Sequence, residues 1–489
     1  MNTFREVLRG AGGRFPHFVT AIVLVVAAAH GPNAHAQIVG VGLFPVAIAE
    51  NQVTNTAYVA NLDANSVTVI NGVTYGTTTV TVGTNPVAVA VNAATNMVYV
   101  ANETSNNVTV INGATNTTTA VAAGTTPSAI AVNAVTNVIY VANGGSGSVT
   151  VINGSTNATT TVTVGTNPDA IAVNTLTNTV YVANEGSSSV TVIDGATNAT
   201  TTVSAGTNPF GIAVNPATNT VYVANETSDN VTVIDGSTNA TTTVTAGTTP
   251  YAVAVNTATN TVYVANEGSG NVTVINGATN AATTVAAGSG PYAVAVNPVT
   301  NTAYVANREA NSVTAIDGAT NATTTVNVLS GPSAIAINTM TDTIYVVDEA
   351  GASVSVIAGG GCLLYTSLMN GTSFSSSVSL GTMGTQWRIA DTGDFLGTGQ
   401  PDIVWENTST GDRYVWLMNG TAFSSSVFIG NVGTQWRIAA TEDFTGAGQP
   451  DLVFENTSTG DRYVWLMNGT AFSSSVFIGN IGTQWQIRN

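Results

Sequence analysis

The stretch Tyr222-Val223-Ala224-Asn225 belongs to a block that recurs through most of this chain. Seven copies are identical at these four positions, and an eighth is altered to Tyr345-Val346-Val347-Asp348. Successive copies lie 41 residues apart without an insertion. They begin at Tyr58, Tyr99, Tyr140, Tyr181, Tyr222, Tyr263, Tyr304 and Tyr345. A period of about 40–45 residues built from strands and turns is typical of a β-propeller blade.

Each repeat contains four short apolar or β-branched runs, which predict four strands. In the copy that begins at Pro250 these runs are 252–255, 261–265, 271–275 and 283–286. The runs alternate with period two and are rich in Val, Thr, Ile and Tyr, as in strands. Asn, Gly, Ser and Thr separate them and predict turns. Four strands per repeat again indicate a propeller blade.

The last repeat predicts how the ring closes. It has its first three runs but lacks the Thr-rich fourth. Residues 38–42, Ile-Val-Gly-Val-Gly, resemble the fourth run at 80–83, Val-Thr-Val-Gly. We expect 38–42 to form the outer strand of the last blade and so remove its open edge. The prediction is an all-β, eight-bladed β-propeller of four-stranded blades over 37–361, with a seven-bladed ring as the alternative.

The charge of the chain excludes one class of partner. Only 7% of residues are charged, against about 25% in an ordinary domain. The net charge is −17, lysine is absent, and Arg308 is the single basic residue between 37 and 361. Because phosphate neutralisation needs clustered Lys and Arg, we expect no binding to nucleic acid.

The first 36 residues have the pattern of an export signal. Three arginines precede an apolar run at 19–29, and a small-residue site, Ala34-His35-Ala36, follows it. The run is too short to span a bilayer. We predict a signal peptide at 1–36, cleavage before Gln37, and a secreted or otherwise extracytoplasmic protein without a membrane anchor.

The mature chain would lack several catalytic residue types. All three histidines lie in the predicted signal, lysine is absent, and Cys362 is the single cysteine. This removes the usual general base, the usual transition-metal ligand and Schiff-base chemistry. The composition therefore predicts a protein that is not an enzyme and has no cofactor.

The repeat carries the blocks Pro-x-x-x-Ala-Val-Asn, Tyr-Val-Ala-Asn and Val-Thr-Val-Ile-Asp/Asn. Over residues 38–357 it resembles the YVTN family of β-propeller repeats, found in secreted and surface-layer-associated proteins of bacteria and archaea. The resemblance implies a scaffold or recognition module for a protein or glycan at the cell envelope. Propellers host unrelated activities, so two alternatives stay open. One is a hydrolase or lactonase-like enzyme that uses carboxylates such as Asp169 or a bound metal, and the other is a self-assembling surface-layer component.

Two positions vary between the otherwise similar repeats. If the first strand is innermost, as the resemblance implies, both positions lie on one face of the ring. After the loop proline the residues are Val46, Val87, Ser128, Asp169, Phe210, Tyr251, Tyr292 and Ser333. After the Tyr-Val-Ala-Asn block they are Leu62, Glu103, Gly144, Glu185, Glu226, Glu267, Arg308 and Glu349.

These positions suggest two ligand sites. Phe210, Tyr251 and Tyr292, with Asp169 in the preceding repeat, predict an aromatic patch that stacks on a sugar or a peptide. The glutamates predict an acidic ring for Ca²⁺ or a cationic partner; they are Glu103, Glu185, Glu226 and Glu267. Calcium takes about six to eight oxygens, so one carboxylate per blade is widely spread for it. The alternative is that the aromatics fill space near the axis and the glutamates solvate turns.

After 361 the repeat changes to a period of 49 residues, marked by Trp387, Trp436 and Trp485. Each unit carries Asp-Phe-x-Gly-x-Gly-Gln-Pro-Asp. Residues 368–489 resemble the FG-GAP (integrin-α-like, VCBS-type) repeats, which implies a partial second set of propeller-type blades. Two units and a fragment would leave unpaired edges, so we expect docking or pairing with another chain.

In the FG-GAP family the Asp-rich loop binds Ca²⁺ through alternate positions. Here the first and last positions are kept, and they are Asp394, Asp402, Asp443 and Asp451. The intervening ligand positions hold Leu396 and Thr398 in one copy and Thr445 and Ala447 in the other. Two carboxylates need carbonyls and water to complete a calcium shell. A calcium site and a turn-stabilising role for the aspartates both stay open.

The junction at 362–367 reads Cys-Leu-Leu-Tyr-Thr-Ser. It resembles the translation of a transposon-end sequencing adapter and stands where the two periods meet. We interpret it as an assembly artefact that joins two separate reading frames. An uninterrupted product of this sequence, amplified from genomic DNA across the junction, would contradict that interpretation.

Overall fold

The computed structural model describes residues 36–358, 362–370, 373–383, 387–398, 402–407, 410–419 and 422–480. All but the last residue of the predicted signal peptide lies outside these ranges. The chain separates into two compact units. The propeller unit comprises 36–358, and the carboxyl-terminal unit comprises the described residues from 362 onward. Within the described ranges, no helix has the length and apolar character needed to cross a membrane.

The propeller unit contains eight four-stranded antiparallel sheets. Two short 3-10 turns, Gly144–Ser146 and Glu185–Ser187, interrupt its loops. In chain order the strands are β1 (Gln37–Gly40), β2 (Pro45–Asn51), β3 (Thr56–Asn61), β4 (Ser66–Asn71), β5 (Thr77–Thr81), β6 (Pro86–Asn92), β7 (Met97–Asn102), β8 (Asn107–Asn112), β9 (Thr118–Ala122), β10 (Pro127–Asn133), β11 (Val138–Asn143), β12 (Ser148–Asn153), β13 (Thr159–Thr163), β14 (Pro168–Asn174), β15 (Thr179–Asn184), β16 (Ser189–Asp194), β17 (Thr200–Ser204), β18 (Pro209–Asn215), β19 (Thr220–Asn225), β20 (Asn230–Asp235), β21 (Thr241–Thr245), β22 (Pro250–Asn256), β23 (Thr261–Asn266), β24 (Asn271–Asn276), β25 (Ala282–Ala286), β26 (Pro291–Asn297), β27 (Thr302–Asn307), β28 (Ser312–Asp317), β29 (Thr323–Asn327), β30 (Pro332–Asn338), β31 (Thr343–Asp348) and β32 (Ser353–Ala358).

The last sheet joins the two ends of this unit. Seven sheets use four consecutive strands, whereas the eighth has the order β1-β32-β31-β30. Gln37 lies opposite Val356, and Gly40 lies opposite Ser353. The pairing predicted for the start of residues 38–42 is therefore observed. Together with the four-stranded sheets, it confirms the all-β propeller fold.

The second strand of each sheet shows why the repeat packs this way. In β23 the consecutive residues Val262, Tyr263 and Val264 are all buried. Alternate side chains of a strand point to opposite faces of its sheet. Val262 and Val264 pack with residues of the preceding sheet, and Tyr263 packs with residues of the following one. Both faces of the sheet are therefore covered by its neighbours.

An asparagine ring links each sheet to the next. The Asn that ends each first strand donates from Nδ2 to a side-chain Oδ1 45 residues later, at 2.7–2.8 Å. The pairs are Asn51–Asn96, Asn92–Asn137, Asn133–Asn178, Asn174–Asn219, Asn215–Asn260, Asn256–Asn301 and Asn297–Asp342. Asn338 completes the ring with a 2.9 Å bond to Asn55. Every acceptor has a positive φ of 49–54°, which Asn and Asp tolerate better than most residues.

The carboxyl-terminal unit contains two further four-stranded sheets and a hairpin. Its strands are β33 (Cys362–Asn370), β34 (Ser373–Met383), β35 (Trp387–Gly393), β36 (Asp402–Asn407), β37 (Asp412–Asn419), β38 (Ala422–Asn431), β39 (Trp436–Glu442), β40 (Asp451–Asn456), β41 (Asp461–Asn468) and β42 (Ala471–Asn480). The hairpin is β33–β34, and the sheets are β35–β38 and β39–β42.

Within the described part of the carboxyl-terminal unit, no second sheet covers one face of the β39–β42 sheet. Phe395 is 0% exposed, but its counterpart in the next unit, Phe444, is 55% exposed. Ile429 is 8% exposed, whereas its counterpart Ile478 is 52% exposed. The first copy of each residue belongs to the core that the two sheets share. The second copy presents the same apolar surface without a covering sheet.

Candidate functional site

The two variable positions of each repeat lie side by side on one face of the propeller unit. The backbone N–H of Glu226 donates to the carbonyl of Asn208 at 2.8 Å, two residues before Phe210. In the next sheet Glu267 donates in the same way to Thr249, at 2.9 Å. These bonds tie the loop between the second and third strands to the loop that enters the first strand. The shared face implied by the family resemblance is therefore observed.

A β-bulge presents the residue after each loop proline. The pairing register shifts between Pro209 and Gly211, and the same shift occurs at the start of the first strand in each of the eight sheets. Phe210 is the extra residue of its bulge. A bulge of this kind redirects a side chain away from the regular strand pattern. The local structure thus places one variable side chain per sheet at the entrance of the inner strands.

Phe210, Tyr251 and Tyr292 form a continuous aromatic row across three neighbouring sheets. The ring centroids of Phe210 and Tyr251 are 4.1 Å apart, and those of Tyr251 and Tyr292 are 4.3 Å apart. The two tyrosine hydroxyls are 2.6 Å apart and share a hydrogen bond. All three side chains are half-buried. The structure therefore brings together the aromatic residues that the sequence analysis grouped.

Gly211 allows this close packing. Other repeats have alanine at this position, as in Ala170 and Ala252. A Cβ added to Gly211 would lie 2.5 Å from the carbonyl oxygen of Tyr251. The backbones of β18 and β22 therefore approach more closely than an alanine would permit.

Arg308 and Glu349 extend the aromatic row beyond Tyr292. The guanidinium carbon of Arg308 lies 4.8 Å from the centroid of the Tyr292 ring. Its Nη2 is 2.8 Å from Oε2 of Glu349. Both positions vary between repeats, but the sequence pattern alone did not indicate that either belongs to the site. The available signal was that Arg308, the one base of residues 37–361, replaces a glutamate of the repeat.

Asp169 occupies the next position beyond the Phe210 end of the row. Its strand, β14, neighbours β18, which carries Phe210. Burial, followed by the charges of Glu185 and Glu226, raises the pKa of Asp169 to about 6. Burial also raises the pKa of Tyr251, and the charge of Asp169 adds to that effect. Asp169, Phe210 and Tyr251 therefore share one electrostatic environment.

The four glutamates of the predicted acidic ring lie on four separate sheets. Glu185 accepts a hydrogen bond from the side-chain amide of Asn167, and burial raises the pKa of Glu267. Across the residues that the structure describes, no three His, Cys, Asp or Glu side chains are grouped so that they could hold a metal ion. The arrangement lends no support to a Ca²⁺ site at Glu103, Glu185, Glu226 and Glu267, which stays a prediction.

The aspartates of the carboxyl-terminal loops bind their own backbone. Asp394 accepts a hydrogen bond from the N–H of Thr398 at 2.9 Å, and Asp402 accepts one from Phe395 at 3.0 Å. The N–H groups of Gly448 and Ala447 donate to Asp443, and that of Phe444 donates to Asp451. The bond from Gly448 is the main reason that the pKa of Asp443 is lowered. This geometry fits the turn-stabilising role, and calcium binding at these loops stays a prediction.

A polar cleft of about 380 Å³ includes none of the three aromatic side chains in its lining. It opens between the outer strands of two sheets and is lined by Ser, Thr, Gly and Val, including Ser187, Thr200 and Ser204. Among the described residues, no charged side chain lines it. The aromatic row and its flanking charges therefore offer more chemistry for recognition than this cleft does.

No family model matches the chain, and no curated protein matches it. Among solved structures it is similar to hydrazine synthase from Kuenenia stuttgartiensis, with 18% identity and a TM-score of 0.49 over 68% of this chain and 99% of that chain. It is also similar to a catalytically inactive variant of virginiamycin B lyase from Staphylococcus aureus with quinupristin, with 12% identity, a TM-score of 0.48, and coverage of 66% and 98%. A third structure, a functionally unknown protein from Desulfotomaculum acetoxidans, has 14% identity, a TM-score of 0.45, and coverage of 53% and 91%. Similarities at this level assign neither an activity nor a ligand to the chain.

Proposed function

We propose that this protein is an extracytoplasmic β-propeller that recognises a protein or a glycan at the cell envelope and does not catalyse a reaction. The aromatic row of Phe210, Tyr251 and Tyr292 is the observation that carries the proposal. Because the rings stack on one another and Arg308 covers Tyr292, the row offers a sugar or a peptide side chain its ring edges and the face of Phe210 that Tyr251 does not cover. The bulges and Gly211 hold this row in place before any partner arrives, which lowers the entropic cost of binding.

Array binding with the full chain tests the proposal. Labelled protein is applied to glycan and peptide arrays, together with the variants Phe210→Ala and Thr243→Ala. Thr243 is exposed on the outer strand β21 and serves as the matched control. We expect at least one ligand whose signal is lost with Phe210→Ala and kept with Thr243→Ala. A set of ligands that binds both variants equally would refute recognition through the aromatic row.

An enzyme is the second candidate, and one observation favours it. With its pKa raised to about 6, Asp169 is suited to donate and accept protons near neutral pH. This would fit an extracytoplasmic hydrolase or lactonase-like activity. Ester and lactone hydrolysis by the full chain and by Asp169→Asn distinguishes the two candidates. The recognition proposal expects no turnover that depends on Asp169.

Self-assembly is the third candidate, and the uncovered face of the β39–β42 sheet favours it. Phe444 and Ile478 present apolar surface of the kind that a neighbouring sheet covers elsewhere in the same unit. Light scattering over a range of concentrations tests this candidate. Growth of particles that Phe444→Ser abolishes would support a surface-layer component. Particle size that stays constant with concentration would leave the recognition module as the better account.

A further inference from the structure

The two ends of the aromatic row differ in charge. At one end the ring of Tyr292 lies under the guanidinium of Arg308, which pairs with Glu349 in the next sheet. A cation over an aromatic face and beside a carboxylate is a favourable arrangement. The chain therefore supplies its own example of how this face binds a basic side chain.

The Phe210 end has an aromatic ring and carboxylates but, among residues 36–358, no cation. Tyr251 stacks on Phe210 from one side. On the other side the preceding sheet presents Asp169, and the position that Arg308 holds in its own repeat is here Glu226. Arg308 is the one basic residue in 36–358, and it is already paired at the far end of the row.

The carboxylates at this end repel one another. Glu185 and Glu226 both act on Asp169, which is in addition removed from much of the solvent. Like charges that are drawn together in a partly buried site are unfavourable, and a cation placed among them relieves the repulsion. Neutral sugars would leave this repulsion in place, and anionic ligands would increase it.

Resting on the proposed function, we infer that the partner presents a cationic side chain, an arginine or a lysine of a peptide segment, to the Phe210 end of the row. The cation lies over the face of Phe210 that Tyr251 does not cover, and it forms ion pairs with Asp169 and Glu226. Arg308 over Tyr292 and beside Glu349 is the template for this contact. The partner is thus a basic segment of a protein and not a glycan.

The test compares two peptides that differ in charge alone. Acetyl-Gly-Arg-Gly-amide and the same peptide with citrulline in place of arginine are titrated into the full chain by calorimetry at low salt. We expect the arginine peptide to bind about tenfold more tightly, since one cation–π contact and one ion pair are gained. Binding should weaken as sodium chloride is added, because salt screens the partly exposed charges.

Variants then locate the contact. Phe210→Leu and Asp169→Asn should each weaken binding of the arginine peptide about fivefold or more. Asp194→Asn removes the same charge at the end of β16, at the opposite end of its sheet from Asp169, where other repeats have asparagine, and should leave the affinity unchanged. Arg308→Gln uncovers Tyr292 and frees Glu349, so the stoichiometry should rise from one peptide per chain to two. Near-ultraviolet circular dichroism of the tyrosines confirms that each variant is folded.

The outcomes separate this inference from the proposed function. Equal affinity for the arginine and citrulline peptides, or no binding of either, would overturn the cationic contact. Binding of the arginine peptide that Phe210→Leu and Asp169→Asn leave unchanged would overturn it as well. If a neutral glycan from the arrays requires Phe210 while neither peptide binds, the recognition proposal stands and this inference fails.

Discussion

Replacement of Glu50 by glutamine should make the propeller unit more stable at neutral and alkaline pH. Most other repeats have valine at this position of the first strand, as in Val91 and Val255. Oε1 of Glu50 accepts a 2.7 Å bond from Nδ2 of Asn338, where the eighth sheet meets the first. Oε2 is buried and has no hydrogen-bond partner among the residues that the structure describes. Burial raises the pKa of this carboxyl from 4.5 to about 8, and the bond from Asn338 opposes the shift only in part.

The magnitude follows from linkage between protonation and folding. Below pH 4.5 the carboxyl is protonated in both the folded and the unfolded chain, so no penalty arises. As the pH rises towards 8, ionisation favours the unfolded state, and the stability that the protonated form provides is lost. Without screening, this shift in the pKa of Glu50 corresponds to a loss of about 5 kcal/mol in the free energy of unfolding. Since the side chain keeps part of its solvent contact, screening reduces the expected loss to about 2–3 kcal/mol.

The assay measures the free energy of unfolding of the wild type and of Glu50→Gln between pH 5 and 8.5. Eleven of the fourteen tyrosines lie before residue 346, so tyrosine circular dichroism follows mainly the propeller unit. All six tryptophans lie beyond residue 386, so tryptophan fluorescence follows the other unit. Asp194→Asn is the control. The N–H of Thr197 bonds to Asp194 and lowers the pKa of Asp194 below its usual range. The contribution of this hydrogen bond to the free energy of unfolding is constant above pH 5 and is lost only in more acidic solution.

We therefore expect the difference between Glu50→Gln and the wild type to grow with pH, and the difference for Asp194→Asn to stay constant. Glutamine places an amide group at the buried Oε2 position, and the free-energy cost of burying that amide is the same at every pH. The informative quantity is thus the slope with pH and not the offset. Parallel curves for the wild type and Glu50→Gln would refute the reasoning.

Three further substitutions test the packing of the ring. Gly211→Ala should destabilise the propeller unit by about 1–3 kcal/mol, since its Cβ would press on the carbonyl of Tyr251, and an unchanged tyrosine-detected melt would contradict this. Asn215→Ala should cost about 1–3 kcal/mol in urea unfolding because it leaves Oδ1 of Asn260 without its buried donor. Tyr292→Phe removes the hydroxyl bond but keeps the ring, so we expect a loss of about 1 kcal/mol, and a loss above about 2 kcal/mol would count against it.

Much of the fold could be predicted because every repeat has the same pattern of apolar runs and turn residues. The strands predicted from the Pro250 repeat at 261–265 and 271–275 are β23 and β24, one residue longer at the carboxyl end. The closing strand was predictable as well, because Val39 repeats the apolar position of an outer strand such as Val80. Period and register are local properties, and a sequence records them directly.

The contacts between repeats were harder to predict. Sequence spacing placed Tyr251 and Tyr292 at equivalent positions, but their contact depends on the spacing of the inner strands and on the bulge. Arg308 lies in the loop between β27 and β28 and stacks on Tyr292, which is at the start of β26 in the same sheet. Its ion pair with Glu349 joins this sheet to the next one. A repeat pattern records what each blade contains but not how neighbouring side chains turn towards one another.

The pairing of β1 with β32 has a consequence for the order of events as the chain leaves the ribosome. β1 is among the first strands to emerge, but its partner is among the last of the propeller unit, and the bond between Asn338 and Glu50 joins residues 288 positions apart. Until β30–β32 emerge, the first sheet keeps one apolar face open, including Ala57, Val59 and Ile70. The blades that are synthesised first therefore form an open stack, and the ring closes only after the last repeat has been synthesised.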